Sequence, residues 1–181
     1  IQFDCIIVND CSTIANPKIR IPPQIKSIKI IHMNKNKGHA RCFATGIKYL
    51  SESSNSDYLI LMDGDGEDRP EEIKLLVSKI LLEPNKSVVA KRVKRSEGLL
   101  FQTLYKIHKY LTFLATGKII NFGNYSCLTM SDLKILSTRA SLWSSYSGSF
   151  KYYIKNYNEV NSIRGMRYFG PSQMSLFKLL I

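Results

Sequence analysis

The sequence predicts an α/β fold with a mainly parallel sheet flanked by helices. Three observations lead there. Short apolar runs alternate with stretches of helical spacing along the chain. Polar clusters follow two of those runs, at Asn9-Asp10 and at Asp63 to Asp68, where sheets of this class collect ligands. The 181 residues, 44% hydrophobic and 22% charged, fit one globular domain with a sizeable core.

Taken in order, Phe3 to Val8 is an apolar run that reads as a buried strand. It ends in the turn-forming cluster Asn9-Asp10-Cys11-Ser12-Thr13. Pro17, Pro22 and Pro23 argue against a long helix between 15 and 24. Ser27 to His32 alternates as a strand does, and Asn34 to Gly38 is a loop. Ala40 to Leu50 has helical spacing, with Phe43, Ile47 and Leu50 on one side. Tyr58 to Met62 is the clearest strand of the chain, and the acidic loop Asp63 to Asp68 follows it. Pro70 suits the first position of a helix running to Leu82, and Glu71 and Glu72 suit its positive end. Ser87 to Lys91 reads as a strand, Arg92 to Gly98 as a basic loop, and Leu99 to Ala115 as a long helix. Asn121 to Asn124 reads as a turn before a strand over Tyr125 to Thr129, and Ser131 or Asp132 as a cap for a short helix. Beyond Ser144 the pattern weakens.

Lys and Arg number 26 against 14 Asp and Glu, a formal net charge of +12. Such an excess fits nucleic acid, anionic lipid headgroups or phosphorylated ligands, and it equally fits a solvated Lys-rich surface. Cys5, Cys11, Cys42 and Cys127 form no CxxC pair, which points to reduced thiols in a cytosolic setting rather than a disulfide framework. No apolar run is long enough to span a bilayer. The chain opens at Ile1 and closes within the apolar stretch Ser175 to Ile181, so both ends read as interrupted.

The motif with the clearest chemistry is Asp63-Gly64-Asp65. Two carboxylates two residues apart, just beyond a strand, can reach one divalent ion, and hard cations such as Mg²⁺ and Mn²⁺ take oxygen ligands that they share with phosphates. The plain alternative is an acidic turn. An EF-hand loop counted from Asp63 fails, because its twelfth position is Lys74 and its glycine position holds Asp68. Asp10 could accept hydrogen bonds from a nucleobase or ribose, although Asn9 and Asp10 equally suit a turn cap. Arg92, Lys94 and Arg95 either contact phosphates or form a solvated basic loop. His32, His39 and His108 lack metal-ligand spacing.

Read together and in order, these segments resemble the family-two inverting glycosyltransferases, in particular the dolichyl-phosphate mannose synthase branch. Val8 to Thr13 resembles V-N-D-G-S-T. Asn36-Lys37-Gly38 and the helix after it resemble N-x-G-x-x-x-A. Leu61 to Asp65, with Asp68 to Ile73, resembles M-D-A-D-x-Q-x-P-P-E-x-I. Val89 to Gly98 resembles the V-x-G-x-R loop, Phe122 to Tyr125 the F-G-N-F turn, and Arg167 to Ser175 the R-x-x-G-x-S-K-x-S segment. The similarity covers nearly the whole chain, and its weight lies in six weak motifs in the right order.

The resemblance implies a GT-A fold over 1–170, missing its first strand, with 171–181 beginning a membrane-proximal amphipathic segment. It implies a nucleotide-sugar donor held by Asn9, Asp10, Lys37, Gly38 and Asp63. It also implies Mg²⁺ or Mn²⁺ on Asp63 and Asp65, and a polyprenyl-phosphate acceptor near Arg92, Lys94, Arg95 and Ser172. Asp63, Asp65 and Arg92 are the expected catalytic set. The expected place is the cytoplasmic face of a membrane, on anionic lipid, with no nucleic acid partner. A phosphate monoester acceptor is already an anion near neutral pH, so no protein general base is required. The departures are an absent P-x-Y-N-E segment, Cys11 for the usual Gly, the Pro-rich stretch for a helix, Ser126 for Arg and Gln173 for Lys. The Q-x-x-R-W motif of processive synthases is missing. Two other readings stand beside this one: a truncated or degenerate transferase that binds nucleotide without turnover, and a basic nucleic-acid-binding module, which leaves the acidic loop without a use.

Overall fold

The computed structural model describes residues 1–13, 21–53, 55–94 and 121–168. The expected helix over Leu99 to Ala115, the loop residues from Arg95 to Gly98 and the segment from 171 onward lie outside them. The chain divides into two compact units: Ile1–Leu59 with Leu128–Lys155, and Ile60–Cys127 with Asn156–Ile181.

In the first unit, strand β1 (Phe3–Asn9) pairs in parallel with β2 (Ile25–His32), with Val8 opposite Ile31 and Asn9 opposite His32. Helix α1 (His39–Ser53) packs on β1. Gly46 permits the approach, since a Cβ there would lie 3.3 Å from the Val8 side chain. The buried side of α1 carries Cys42, Ala44 and Ile47 rather than Phe43, Ile47 and Leu50 alone, because the helix is covered on more than one flank. That cover comes from α3 (Met130–Ser137), a 3₁₀ turn at Ala140–Trp143 and α4 (Tyr146–Tyr153). Leu133, Leu136, Leu142, Tyr146 and Phe150 are all 2% exposed or less, and their burial is the main stabilising term of this unit. The cap of α3 is Thr129, whose hydroxyl accepts the Asp132 N–H, instead of Ser131 or Asp132. The start of α4 is set in the same way by Ser145, which accepts the Gly148 N–H.

In the second unit, β4 (Val88–Lys94) pairs antiparallel with β5 (Phe122–Thr129) and parallel with β6 (Asn158–Ile163). Strand β3 (Tyr58–Leu61) completes a four-stranded sheet of order β3-β5-β4-β6. A 3₁₀ turn at Pro70–Glu72 leads into α2 (Ile73–Leu82), which packs on β4 and β6 through the buried Leu76 and Ile80. The result is α/β with a partly parallel sheet.

Three local differences from the sequence reading have physical causes. Arg92 to Lys94 belong to β4 and not to a loop, because β6 supplies a partner as far as Lys94 opposite Ile163. Phe122 to Asn124 belong to β5 and not to a turn, because Phe122 pairs with Lys91. The strand β6 and the helix α4 lie where the pattern weakens: β6 is an edge strand with a polar sequence and only Ser162 fully buried.

The turn after β1 carries a conformational strain. Cys11 has φ +56°, in the left-handed region that costs a non-glycine residue about 1–2 kcal/mol. Glycine avoids that cost and gives back part of the gain in chain entropy. Cys11→Gly is therefore expected to stabilise the protein by about 0.5–1 kcal/mol in urea unfolding; an unchanged or lowered midpoint would refute the strain.

Candidate functional site

The predicted site residues fall into one group within each unit. In the first unit, the Asp10 carboxylate accepts the backbone N–H groups of Lys37 at 2.7 Å and Gly38 at 2.8 Å. Gly38, with φ +86°, turns the chain into α1, and its carbonyl accepts from Arg41 and Cys42. A carboxylate at the N-terminus of a fifteen-residue helix also faces its positive end. The Cys42 thiol beside it is pushed up to about 11, by burial first and then by the charge of Asp10 and a hydrogen bond to it. Asn9 works locally: its Oδ1 accepts the Ser12 N–H at 2.9 Å, and its Nδ2 lies 3.4 Å from His32 Nδ1. The structure thus brings Asn9, Asp10, Lys37 and Gly38 together, and the turn-capping role of Asn9 and Asp10 is seen directly.

In the second unit the acidic loop follows β3. The Asp63 N–H donates to Asp68 Oδ2 at 2.9 Å, closing the loop on itself. Asp63 Oδ1 lies 3.5 Å from the Asn124 amide on β5. Asp68 is 4% exposed, and its Oδ1 faces Arg92 Nη2 at 3.7 Å. Burial pushes the Asp68 carboxyl up to about 6; the charges of Asp63 and Asp65 push the same way, while the Asp63 N–H and Arg92 pull it down. Gly123 makes room for the arginine, since a Cβ there would sit 3.0 Å from Arg92 Nη2. Asp63, Asp68 and Arg92 therefore form one connected group. Lys94 is on the same strand as Arg92; Arg95 and Ser172 lie outside the described residues.

The other side of the loop is held by the segment after β6. Asp65 Oδ1 accepts the Glu67 N–H, and its Oδ2 pairs with Arg167 at 2.8 Å. Arg164 pairs with Glu67, its Nε donating at 2.9 Å. Backbone bonds run from Tyr168 to the Asp65 carbonyl and from Gly165 to the Glu67 carbonyl. Gly66, at φ +91°, lies under the Tyr168 ring, where a Cβ would come within 2.6 Å. Glu72 anchors β6 itself, accepting from the Ser162 hydroxyl and the Ile163 N–H. Among the described residues, no group of three or more His, Cys, Asp or Glu side chains is set to hold a metal ion.

Sequence reasoning placed Asp68 in the acidic loop and its motif but gave it no role in the site, and it gave none to Glu67. It placed Arg167 only at the start of the segment ahead of a membrane-proximal stretch, whereas Arg164 and Arg167 pair with the acidic loop. The available signal was charge balance: four carboxylates in six residues, from Asp63 to Asp68, require compensation nearby.

The acidic loop at the end of β3, faced by Arg92 from the same sheet, is the candidate site of the second unit. The sequence profile of glycosyl transferase family 2 matches residues 1–165, and the chain belongs to that family. The undecaprenyl-phosphate 4-deoxy-4-formamido-L-arabinose transferase of Photorhabdus laumondii subsp. laumondii is similar to it, 26% identical over 188 residues. That similarity takes in 99% of this chain and 55% of the relative, so the chain spans about half the length of the relative it matches.

The raised Asp68 carboxyl makes a signed prediction. A carboxyl whose folded value lies above its unfolded one adds stability that is complete below about pH 4 and is lost as pH rises through about 6. Asp68→Asn keeps an oxygen for the Asp63 N–H and removes the titration. Its stability relative to wild type is expected to improve by about 3 kcal/mol between about pH 3 and pH 7.5. Urea melts across that range check it, and a difference that stays flat with pH would count against a buried, titrating Asp68.

Proposed function

We propose that this chain is the nucleotide-sugar-binding part of an enzyme that transfers a sugar, with inversion, onto a polyprenyl phosphate. The observation that carries the proposal is the connected group Asp63–Asp68–Arg92 at the end of β3, in a member of glycosyl transferase family 2. The name of the Photorhabdus relative supports the acceptor class.

The donor set bears on the cation. Asp63 and Asp65 offer hard oxygen ligands from one short loop, and the described residues offer no third carboxylate, His or Cys arranged with them. Such a pair does not make a self-sufficient metal site. It fits Mg²⁺ or Mn²⁺ completed by the phosphates of the donor, as these ions are commonly held. When bound, the ion would supply charge stabilisation for the departing nucleoside diphosphate.

The protein's own groups would then divide the work. Asp63 and Asp65 hold the cation. Arg92, fixed by Asp68 and by the space above Gly123, presents a planar fork suited to phosphate oxygens. Asp10 keeps Lys37 and Gly38 in place at the head of α1 and retains lone pairs for a base or ribose hydroxyl. The acceptor phosphate is itself the nucleophile, so a protein base is not needed. A lipid acceptor also places the chain at a membrane surface, where a net charge of +12 favours an anionic face. Among the described residues no helix is long and apolar enough to cross a membrane. Nucleic acid is not expected as a partner, since four carboxylates in one loop oppose a phosphate backbone.

Asp63→Ala and Asp65→Ala are each expected to weaken Mn²⁺-dependent binding of UDP or GDP by at least about tenfold, roughly 1.4 kcal/mol, with an unchanged thermal midpoint. Titration calorimetry decides it, and wild-type affinity in both variants would sink the assignment. Binding without sugar transfer in the whole protein would favour the reading of a degenerate transferase.

Arg92→Lys keeps the charge and loses the fork, so nucleotide affinity is expected to fall about threefold to tenfold. An Arg92→Lys protein that binds as wild type does would leave Arg92 only its structural role beside Asp68.

A further inference from the structure

Three carboxylates of the acidic loop, Asp65, Glu67 and Asp68, are compensated by the chain's own arginines. Asp65 Oδ2 lies 2.8 Å from Arg167 Nη2, and Glu67 Oε1 lies 3.7 Å from the same nitrogen. Arg167 is held there by more than charge. The next residue, Tyr168, donates its backbone N–H to the Asp65 carbonyl at 2.9 Å, and its ring covers Gly66. Three residues earlier, Gly165 bonds the Glu67 carbonyl and packs against the Gly66 carbonyl so closely that a Cβ would fall 2.4 Å from that oxygen. The segment 164–168 therefore forms a strap whose only place for the Arg167 guanidinium, among the described carboxylates, is beside Asp65 and Glu67.

A divalent cation and a guanidinium on one carboxylate repel each other and divide its negative charge, so in a partly desolvated site each weakens the other's hold. We infer that Arg167 competes with a divalent cation for Asp65 and so sets how tightly the acidic loop takes that cation. The inference rests on the proposed metal role of Asp63 and Asp65. It assigns Arg167 a function in this loop that the identity of the donor and the acceptor does not alter. Linkage gives the converse: a cation that takes Asp65 weakens the hold on Arg167 and loosens the strap by the same factor.

The test uses the full chain and Mn²⁺ alone, with bound ion measured by loss of the free Mn²⁺ electron paramagnetic resonance signal. Arg167→Met removes the charge and keeps the length, and is expected to tighten Mn²⁺ binding at least about tenfold. Arg167→Lys keeps the charge and is expected to stay within about threefold of wild type. Equal or weaker binding by Arg167→Met, with wild type still binding, overturns the competition and leaves the metal assignment standing. Binding by neither protein overturns both. A second measurement needs no variant. Trypsin cuts after Arg167, and Mn²⁺ is expected to speed release of the fragment beginning at Tyr168 at least about fivefold by freeing the strap. If Arg167→Met does not fold, this rate decides alone, and a rate that Mn²⁺ leaves unchanged overturns the inference.

Discussion

Asp68 takes a carboxylate into the interior of the second unit, and the geometry of the candidate site follows from how that carboxylate is satisfied. One oxygen accepts the Asp63 N–H, and the other faces the Arg92 guanidinium. A buried carboxyl without such partners would cost several kcal/mol, so the loop after β3 and the guanidinium on β4 are constrained to meet. Tyr125 extends the same constraint: its hydroxyl donates to the Arg69 carbonyl at 2.8 Å, and burial with the nearby carboxylates pushes its phenol up. The loop that carries Asp63 and Asp65 is thereby tied to the sheet at its end as well as at its beginning.

The remaining carboxylates are balanced from a distant part of the chain. Arg164 and Glu67 are 97 positions apart, yet they form an ion pair because β6 runs parallel to β4 and delivers the strap beside the loop. Half-buried pairs of this kind lose in desolvation much of what they gain in attraction. Their effect here is positional: with two backbone bonds and two close-packed glycines, they choose one arrangement of the loop.

Much of this was legible in the sequence, for identifiable reasons. The strands over Phe3–Asn9 and Tyr58–Leu61 and the helix over His39–Ser53 are strongly patterned, and the polar residues after the strands mark where a ligand would bind. Asp63, Asp65 and Arg92 stood out because their side-chain chemistry is local to each motif. Asp68 did not, because its burial depends on β4 and β5, which no local window contains. Strand β6 was hidden because an edge strand buries little and alternates weakly, and with it went the partner that extends β4 through Arg92. The pairing of Arg167 was hidden because basic residues beside apolar ones look alike whether they face a membrane or an acidic loop.

The two units solve one structural problem in the same way. In each, a carboxylate just beyond a strand accepts backbone N–H groups of a loop that turns at a glycine of positive φ: Asp10 with Lys37 and Gly38, Asp68 with Asp63 in the loop that turns at Gly66. Backbone donors fix the position of the loop without spending a second charged side chain. The difference lies in what remains. Asp10 is surrounded by donors that belong to the protein, including the Cys42 thiol. Asp63 Oδ1 lies 3.5 Å from an amide, and Asp65 Oδ2 meets a guanidinium carried by the strap. At Asp65 the partner that can exchange is a side chain, whereas Asp10 is held by backbone N–H groups that move only with their loop.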